Sequence, residues 1–118
     1  MADRNVKRGC IVARIKPGAE DDVAKLFAES DRSELPELAH VRHRSLFVLD
    51  DIYIHYVETD DEFGAEVDAI RAHPLFKDIS AKLDEFITPY DPETWKSPKD
   101  AMAREFYHWD SASEGASE

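Results

Sequence analysis

Apolar positions recur with strand or helix spacing in successive stretches of the chain, and they predict the elements of the fold. Residues 9–15, GCIVARI, form a short β-rich run. After the turn at Pro17-Gly18, the apolar residues Val23, Leu26 and Phe27 lie on one helix face, which predicts a helix over about residues 19–29. Because Pro36 prevents a helix from continuing, we expect a loop up to about residue 40.

The middle of the chain predicts a β-hairpin followed by two helical pieces. HVRHRSLFVL and IYIHYVE have strand character, and the intervening Asp50-Asp51 predicts a tight turn. TDDEFGAEVDAIRAHP has helical spacing up to Pro74. A second helical stripe then contains Leu75, Phe76, Ile79, Leu83 and Phe86.

The last third of the chain has weaker patterns. TPYDPETWKSP carries three prolines in eleven residues, which predicts irregular structure, whereas AMAREFYHWD resembles a last strand. SASEGASE is an acidic, low-complexity stretch. We therefore expect a single domain over residues 1–110 and a disordered acidic tail over residues 111–118.

The predicted order, β-α-β-β-α-α-β, is typical of a ferredoxin-like α+β sandwich, an antiparallel sheet with helices on one face. The second and third strands carry apolar residues at both parities, for example Leu46 with Phe47 and Ile52 with Tyr53. This pattern predicts burial on both faces, but the helices of one chain cover only one. We therefore expect a homodimer whose two sheets pack face to face, a dimeric α+β barrel.

Composition narrows the function classes. The 118 residues carry a net charge of −11, a field that repels nucleic acid and anionic membranes. No apolar run has the length of a signal peptide or of a membrane span, so we expect a cytoplasmic protein. The single cysteine, Cys10, cannot form an internal disulfide, and its strand position favours a buried thiol over a reactive one.

Basic residues open the second predicted strand of this acidic chain, at Arg42, His43 and Arg44. Arg44 shares a strand face with Leu46 and Val48, and a cation on an apolar face needs a partner. That partner is either an anionic ligand or a carboxylate such as Asp31 or Glu34. By the same alternation, His43 points to the other face, toward solvent or a dimer partner, and Arg42 shares the face of Arg44 nearer the strand end.

His55 lies in the middle of an otherwise apolar strand. Its ordinary pKa near 6.5 suits an acid–base group, but a satisfied core histidine has the same pattern. His40, His43 and His55 are not spaced as metal ligands, so we expect no metal site.

Seven segments occur together in one order: IVARIKPG, FAESDRSELP, VRHRSLF, YIHYVE, HPLF, TPYDPETW and DAMAREFYHW. This set, spanning about residues 9–109, resembles the TcmI-type cyclases of aromatic (type II) polyketide biosynthesis. The resemblance implies a dimeric ferredoxin-like enzyme without cofactor, which closes rings in a poly-β-ketone or partly cyclised intermediate by intramolecular aldol chemistry and dehydration.

The resemblance also implies catalytic roles. Arg44 would stabilise an enolate, His55 would act as base or acid, and Asp31 would act as a base or orient the other two. The founding member of the family is expected to carry a histidine before this acid, where the present chain has Ser30. Either Ser30 serves as a neutral donor or His43 takes over that work. The expected substrate contacts are Ser30, Phe27, Leu46, His73, Trp95 and Tyr90.

Two other functions stay open from the sequence. Cofactor-free monooxygenases that oxidise polyphenols share this fold class, and a non-catalytic, chaperone-like subunit of the polyketide synthase would bind the same chains. The acidic charge favours a released, diffusible intermediate over one carried by an acidic acyl carrier protein. A transient contact with the synthase or the carrier protein would need a local basic face.

Overall fold

A computed structural model of the protein describes residues 6–93, 101–109 and 111. Within these residues the elements follow in the order β1 (Lys7–Ile15), α1 (Glu20–Asp31), α2 (Leu35–Leu38), β2 (Val41–Leu49), β3 (Ile52–Thr59), α3 (Phe63–Ile70), α4 (Pro74–Leu83) and β4 (Ile87–Pro89). The four described strands form one antiparallel sheet in the order β2-β3-β1-β4. The predicted ferredoxin-like α+β architecture is confirmed.

The helices cover one face of this sheet. Along β3 buried and half-buried residues alternate strictly, so that Tyr53, His55, Val57 and Thr59 face the helices. The core residues of β1 and β3 pack against residues of α1 and α4, including Val23, Phe27 and Ile79. The helices of the single chain cover this face, and the site described below lies between them and the sheet.

The opposite face of the sheet, here called the open face, is partly exposed. Ile54 of β3 is half-buried there, and Phe47, its partner in β2, is 57% exposed. Leu49, the partner of Ile52, is 71% exposed on the same face. Cys10 of β1 is also half-buried on this face, and burial raises the pKa of its thiol. A raised pKa keeps the thiol protonated and unreactive at neutral pH, as expected from its strand position.

The prediction for the last strand is wrong. The fourth strand is Ile87–Pro89, and it pairs with Ala13–Ile15 of β1. Thr88 and Pro89 are the first two residues of the segment predicted to be irregular. In residues 101–109, Met102 makes one bridge to Ile11, and the aromatic side chains of Phe106, Tyr107 and Trp109 are exposed. An edge position next to β1 tolerates Pro89, because the proline need not donate to a further strand. Most of the predicted tail, residues 112–118, lies outside the described residues.

Two prolines lie in the first turn of a helix, whereas the sequence pattern predicts that each of them ends a helix. Pro36 lies in the first turn of α2, within the expected loop, and Pro74 begins α4 rather than ending α3. Proline suits the first turn because the first helical N–H groups have no partner inside the helix. His73 is therefore the N-cap of α4, where its Nδ1 accepts a hydrogen bond from the Leu75 N–H at 3.1 Å, and not a residue at the end of the preceding helix.

A buried carboxylate fixes the entry into β2. Glu66 of α3 is 5% exposed, accepts a hydrogen bond from the Asp61 backbone N–H, and lies 3.0 Å from His40 Nδ1. The carboxylate raises the pKa of His40, so the pair favours the charged imidazolium. His40 adopts a left-handed backbone (φ 55) just before the strand, and its carbonyl accepts from Asp60 N–H. This arrangement anchors the segment that carries the basic residues.

Candidate active site

A cavity of about 240 Å³ lies between the sheet and the helices. Its walls are mostly apolar, with aromatic rings from Phe27, Phe63 and Phe76. Polar side chains line it at a few points, which are Ser30, Arg44, Tyr53, His55, Ser80 and Asp84. An apolar cavity with few polar groups is the usual form of a small-molecule site.

Arg44 is the cation of this cavity, and three neighbours fix it. Its guanidinium pairs with Asp31 through Nε and Nη2, with a shortest distance of 2.8 Å from Nη2 to Oδ1. Nη1 donates to His55 Nε2 at 2.8 Å. The guanidinium carbon lies 4.9 Å from the centre of the Phe27 ring, a cation–π contact. The Arg44 side chain is 14% exposed, so the cation is largely removed from water.

The contacts of Arg44 leave part of its donor capacity for a ligand. A guanidinium has five N–H hydrogens. The Nε hydrogen and one on Nη2 point to Asp31, and one on Nη1 points to His55. Among the described residues, one hydrogen on each terminal nitrogen has no partner, so both can donate to an oxygen atom of a ligand in the cavity.

His55 is held as a neutral ring. Because Arg44 can only donate, His55 Nε2 must accept, and the ring hydrogen therefore lies on Nδ1. Burial, and secondarily the charge of Arg44, lowers the pKa of His55 to about 3. The ring is packed between Phe27 and Phe63, with centroid distances of 5.1 and 5.9 Å. At neutral pH this imidazole is an acceptor for Arg44 rather than a proton carrier.

A bulge decides which basic residue faces the cavity. The pairing of β2 with β3 shifts between Val41 and His43, so that Val41 lines the cavity together with Arg44. Arg42 instead forms an exposed two-pronged ion pair with Asp60, at 2.7 and 3.1 Å. The expectation that Arg42 shares the face of Arg44 is therefore wrong, because a β-bulge breaks the two-residue alternation.

His43 faces the side of the sheet that strand alternation predicts, and Asp31 is one of the two carboxylates expected to pair with Arg44. His43 pairs with Glu58 on the open face, where its Nε2 lies 2.8 Å from Ser45 Oγ. It is therefore separated from Arg44 by the sheet. Asp31 is the last residue of α1, and its contact is with Arg44.

The predicted substrate contacts divide into three groups. Ser30 and Phe27 line the cavity. Leu46 pairs with His55 across the strands and packs against the core, whereas His73 caps α4 and the half-exposed Tyr90 stacks under Arg14 at 4.9 Å. These last three residues are not among those that line the cavity. Trp95 lies outside the described residues.

Sequence reasoning missed three polar residues of the cavity. The sequence pattern indicates only an apolar strand position for Tyr53, but its side chain lines the cavity, and burial raises the pKa of its phenol, which keeps it protonated. Ser80 and Asp84 are one turn apart on the last part of α4. Their i, i+4 spacing on the helix stripe that contains Ile79 and Leu83 was the available signal.

The described residues contain no group of three or more His, Cys, Asp or Glu side chains placed to hold a metal ion. Among the same residues, no helix is long and apolar enough to cross a membrane.

Sequence comparisons show a family and two named relatives to which this chain is similar. A family model described as polyketide synthesis cyclase matches residues 7–110. The chain is 48% identical over 100 residues to polyketide synthase CurG of Streptomyces cyaneus, a match that covers 85% of this chain and 94% of that protein. It is 38% identical over 102 residues to tetracenomycin F2 cyclase of Streptomyces glaucescens, covering 86% of this chain and 93% of that protein.

Structural comparison gives the same result. The fold superimposes on the solved structure of tetracenomycin F2 cyclase, described as a type-II polyketide cyclase, with a TM-score of 0.81 over 88% of this chain and 97% of that one. A protein from Methanosarcina mazei that is 20% identical matches with a TM-score of 0.53, which supports the fold alone.

Proposed function

Because this chain belongs to the polyketide synthesis cyclase family, whose model covers residues 7–110, we propose that it closes a ring in a poly-β-ketone or partly cyclised aromatic polyketide by intramolecular aldol condensation and dehydration. A relative that is 38% identical is named tetracenomycin F2 cyclase, and this name supports a ring-closing activity. The proposal assigns the reaction to the cavity between sheet and helices, with Arg44, His55 and Asp31 as its polar group.

The observation that carries the proposal is the position of the Arg44 guanidinium. It is 14% exposed, lines an apolar cavity, and keeps two N–H hydrogens beyond those used by Asp31 and His55. Two donors on one planar cation match the oxygens of a 1,3-dicarbonyl group, which become negative when the methylene between them loses a proton. Because the Arg44 guanidinium is largely removed from water, its attraction to these negative oxygens is stronger than it would be in water.

The chemistry needs no oxidant or reductant. A C–H bond of the methylene breaks, the proton passes to water at the cavity mouth, and the electron pair becomes the enolate held by Arg44. The enolate carbon forms a C–C bond to a second carbonyl, whose oxygen takes up a proton. Loss of that hydroxyl with a neighbouring hydrogen releases one water and leaves a double bond in the new ring. The apolar walls restrict which carbon meets which carbonyl.

In this scheme His55 and Asp31 act through Arg44. The lowered pKa of His55 and its use of Nε2 to accept from Arg44 disfavour its role as a general base. Asp31 accepts hydrogen bonds from two nitrogens of the guanidinium, and these bonds restrict the movement of the cation. Methylenes between two carbonyls are acidic enough that the enzyme's main task is to hold the enolate and to orient the chain.

Product analysis under argon tests the function. We expect purified protein to convert tetracenomycin F2, used as a probe, to a product lighter by one water in the absence of oxygen. Turnover that begins only when oxygen is admitted, with a product heavier by oxygen, would assign the protein to the monooxygenases. An unchanged rate with and without the protein, together with tight binding of the probe, would support the chaperone-like alternative.

We also propose that a second copy of the chain covers the open face. Phe47 and Leu49 expose large apolar side chains there, next to half-buried Ile54, and a self-complementary sheet face is a common dimer surface. Sedimentation equilibrium should give twice the chain mass of 13.5 kDa. Replacement of Phe47 and Leu49 by lysine should give monomers, and a wild-type protein that sediments as a monomer would contradict the proposal.

A diffusible substrate fits the surface charge better than one bound to an acidic carrier protein. The net charge is −11, and Arg8, Arg42 and Arg44 are each paired with a carboxylate, at 2.9, 2.7 and 2.8 Å. These pairs partly neutralise three basic residues that could otherwise contribute to a docking face for an acidic carrier protein. We propose that contact with the synthase or carrier protein is transient.

A further inference from the structure

The cavity has a second polar end, at the C-terminus of α4. Ser80 and Asp84 line the cavity there, four residues apart and therefore on one side of the helix. Ser80 is half-buried and Asp84, the C-cap residue, is exposed at the cavity rim. Most of the other residues that line the cavity, such as Ile79 and Leu83, have apolar side chains.

The sheet register separates the two polar ends. Arg44 lies opposite Val57, and Val57 lies opposite Gly9, near the start of β1. The segment after α4 reaches the other end of β1, where Ile87 lies opposite Ile15. Six residues of strand correspond to about 20 Å. The Arg44 side chain reaches His55, which lies opposite Ile11, whereas the segment that follows Asp84 pairs with the last residues of β1.

The position of Asp84 is not explained by the stability of the helix. A negative charge at a helix C-terminus is unfavourable because the last carbonyls already carry partial negative charge. The cation of that turn, Lys82, pairs with Asp78 at 3.0 Å. Within the part of the chain that the structure describes, the side chains of Ser80 and Asp84 make no hydrogen bond or ion pair. Both therefore keep their hydrogen-bonding capacity for a molecule in the cavity.

We propose that Asp84, assisted by Ser80, binds an enol or phenol hydroxyl at the end of the substrate remote from Arg44. This inference rests on the proposed function and deepens it. A carboxylate accepts a hydrogen bond from a hydroxyl but repels a carbonyl oxygen, so the α4 end distinguishes the hydroxylated end of a polyketide from its ketone end. The consequence is a fixed direction of the substrate, which determines the carbonyl that meets Arg44.

A pair of probes tests the inference: 2-naphthoate and 6-hydroxy-2-naphthoate. The carboxylate of each should bind at Arg44, and only the second carries a hydroxyl on the opposite ring. We expect the wild-type protein to bind the hydroxylated probe about tenfold more tightly, as one hydrogen bond to a charged acceptor provides. Asp84→Ala should lose this preference without weakening the binding of 2-naphthoate, and Ser80→Ala should reduce it.

Glu85→Ala is the matched control, because it removes the same charge from the neighbouring exposed residue, which does not line the cavity. It should keep the full preference. Equal binding of both probes by the wild-type protein, or an unchanged preference in Asp84→Ala, would overturn the role of Asp84 while leaving the Arg44 site intact. Failure of the wild-type protein to bind either probe would overturn the proposed cavity itself, and with it this inference.

Discussion

Replacement of Arg44 by glutamine is expected to lower kcat/KM for ring closure at least a hundredfold. Glutamine keeps a hydrogen-bond donor but removes the charge that faces the developing enolate. The loss of one such donor from a desolvated site typically costs about 3 kcal/mol in the transition state. The measurement is steady-state turnover of tetracenomycin F2 under argon, with circular dichroism to verify that the variant is folded.

Arg42→Gln is the control for this variant. Arg42 lies two residues away and also pairs with an aspartate through two nitrogens, yet it is 61% exposed and lies outside the cavity. It should retain turnover within about a factor of two, since exposed ion pairs contribute at most about 1 kcal/mol. Equal rates for wild type and Arg44→Gln would mean that Arg44 is structural and that the shape of the cavity alone directs the reaction.

The second large effect on turnover is expected at His55, and its size depends on which residue replaces the histidine. His55→Gln keeps a side-chain acceptor for Arg44 Nη1 and should retain turnover within about tenfold. His55→Leu removes the acceptor, leaves a buried donor unsatisfied, and should lower both turnover, by about a hundredfold, and stability, by about 1–3 kcal/mol. If His55 were the general base, both variants would be equally inactive. Rates of the two variants, measured side by side, distinguish these roles.

The same residue should make the protein sensitive to acid. The pKa of His55 falls from about 6.5 in the unfolded chain to about 3 in the fold. Between these values the unfolded state binds the proton and the folded state does not. The contribution of His55 is therefore complete above pH 6.5 and is lost as the pH falls toward 3, by about 3 kcal/mol at pH 4.

Urea unfolding at pH 7 and pH 4 measures this contribution. The drop in the free energy of unfolding should be smaller in His55→Gln than in wild type, while carboxylates elsewhere contribute equally to both proteins. An identical drop in the two proteins would show that His55 is not the group that resists protonation.

Much of this fold could be predicted from the sequence because the decisive patterns are local. The i, i+3, i+4 stripe of α1 indicates its buried face, and the Asp50-Asp51 turn between two segments of strand character indicates the hairpin. Arg44 could be assigned to the buried face for the same reason. Its partner Asp31 was one of two carboxylates that the loop made available, and only the fold selects between them.

The errors have a common cause, since they depend on contacts between distant segments. The fourth strand is only three residues long, and its pairing with β1 is what makes Ile87–Pro89 a strand. The bulge that removes Arg42 from the cavity depends on the register of β2 against β3. Ser80 and Asp84 become cavity residues because α4 lies over the sheet, a placement that helical periodicity does not specify. The aromatic run over 106–109 has strand propensity, but the described structure gives it no partner strand.

The central claim, that Arg44 stabilises an enolate in this cavity, is tested most directly with benzoylacetone, a stable aromatic 1,3-diketone. Its enol and enolate have different absorbance, so a titration of the bound compound gives its pKa. We expect the wild-type protein to lower this pKa by about two units relative to water, the equivalent of the expected hundredfold effect, and Arg44→Gln to abolish the shift. An unshifted pKa in the bound state, or an equal shift in both proteins, would contradict the claim.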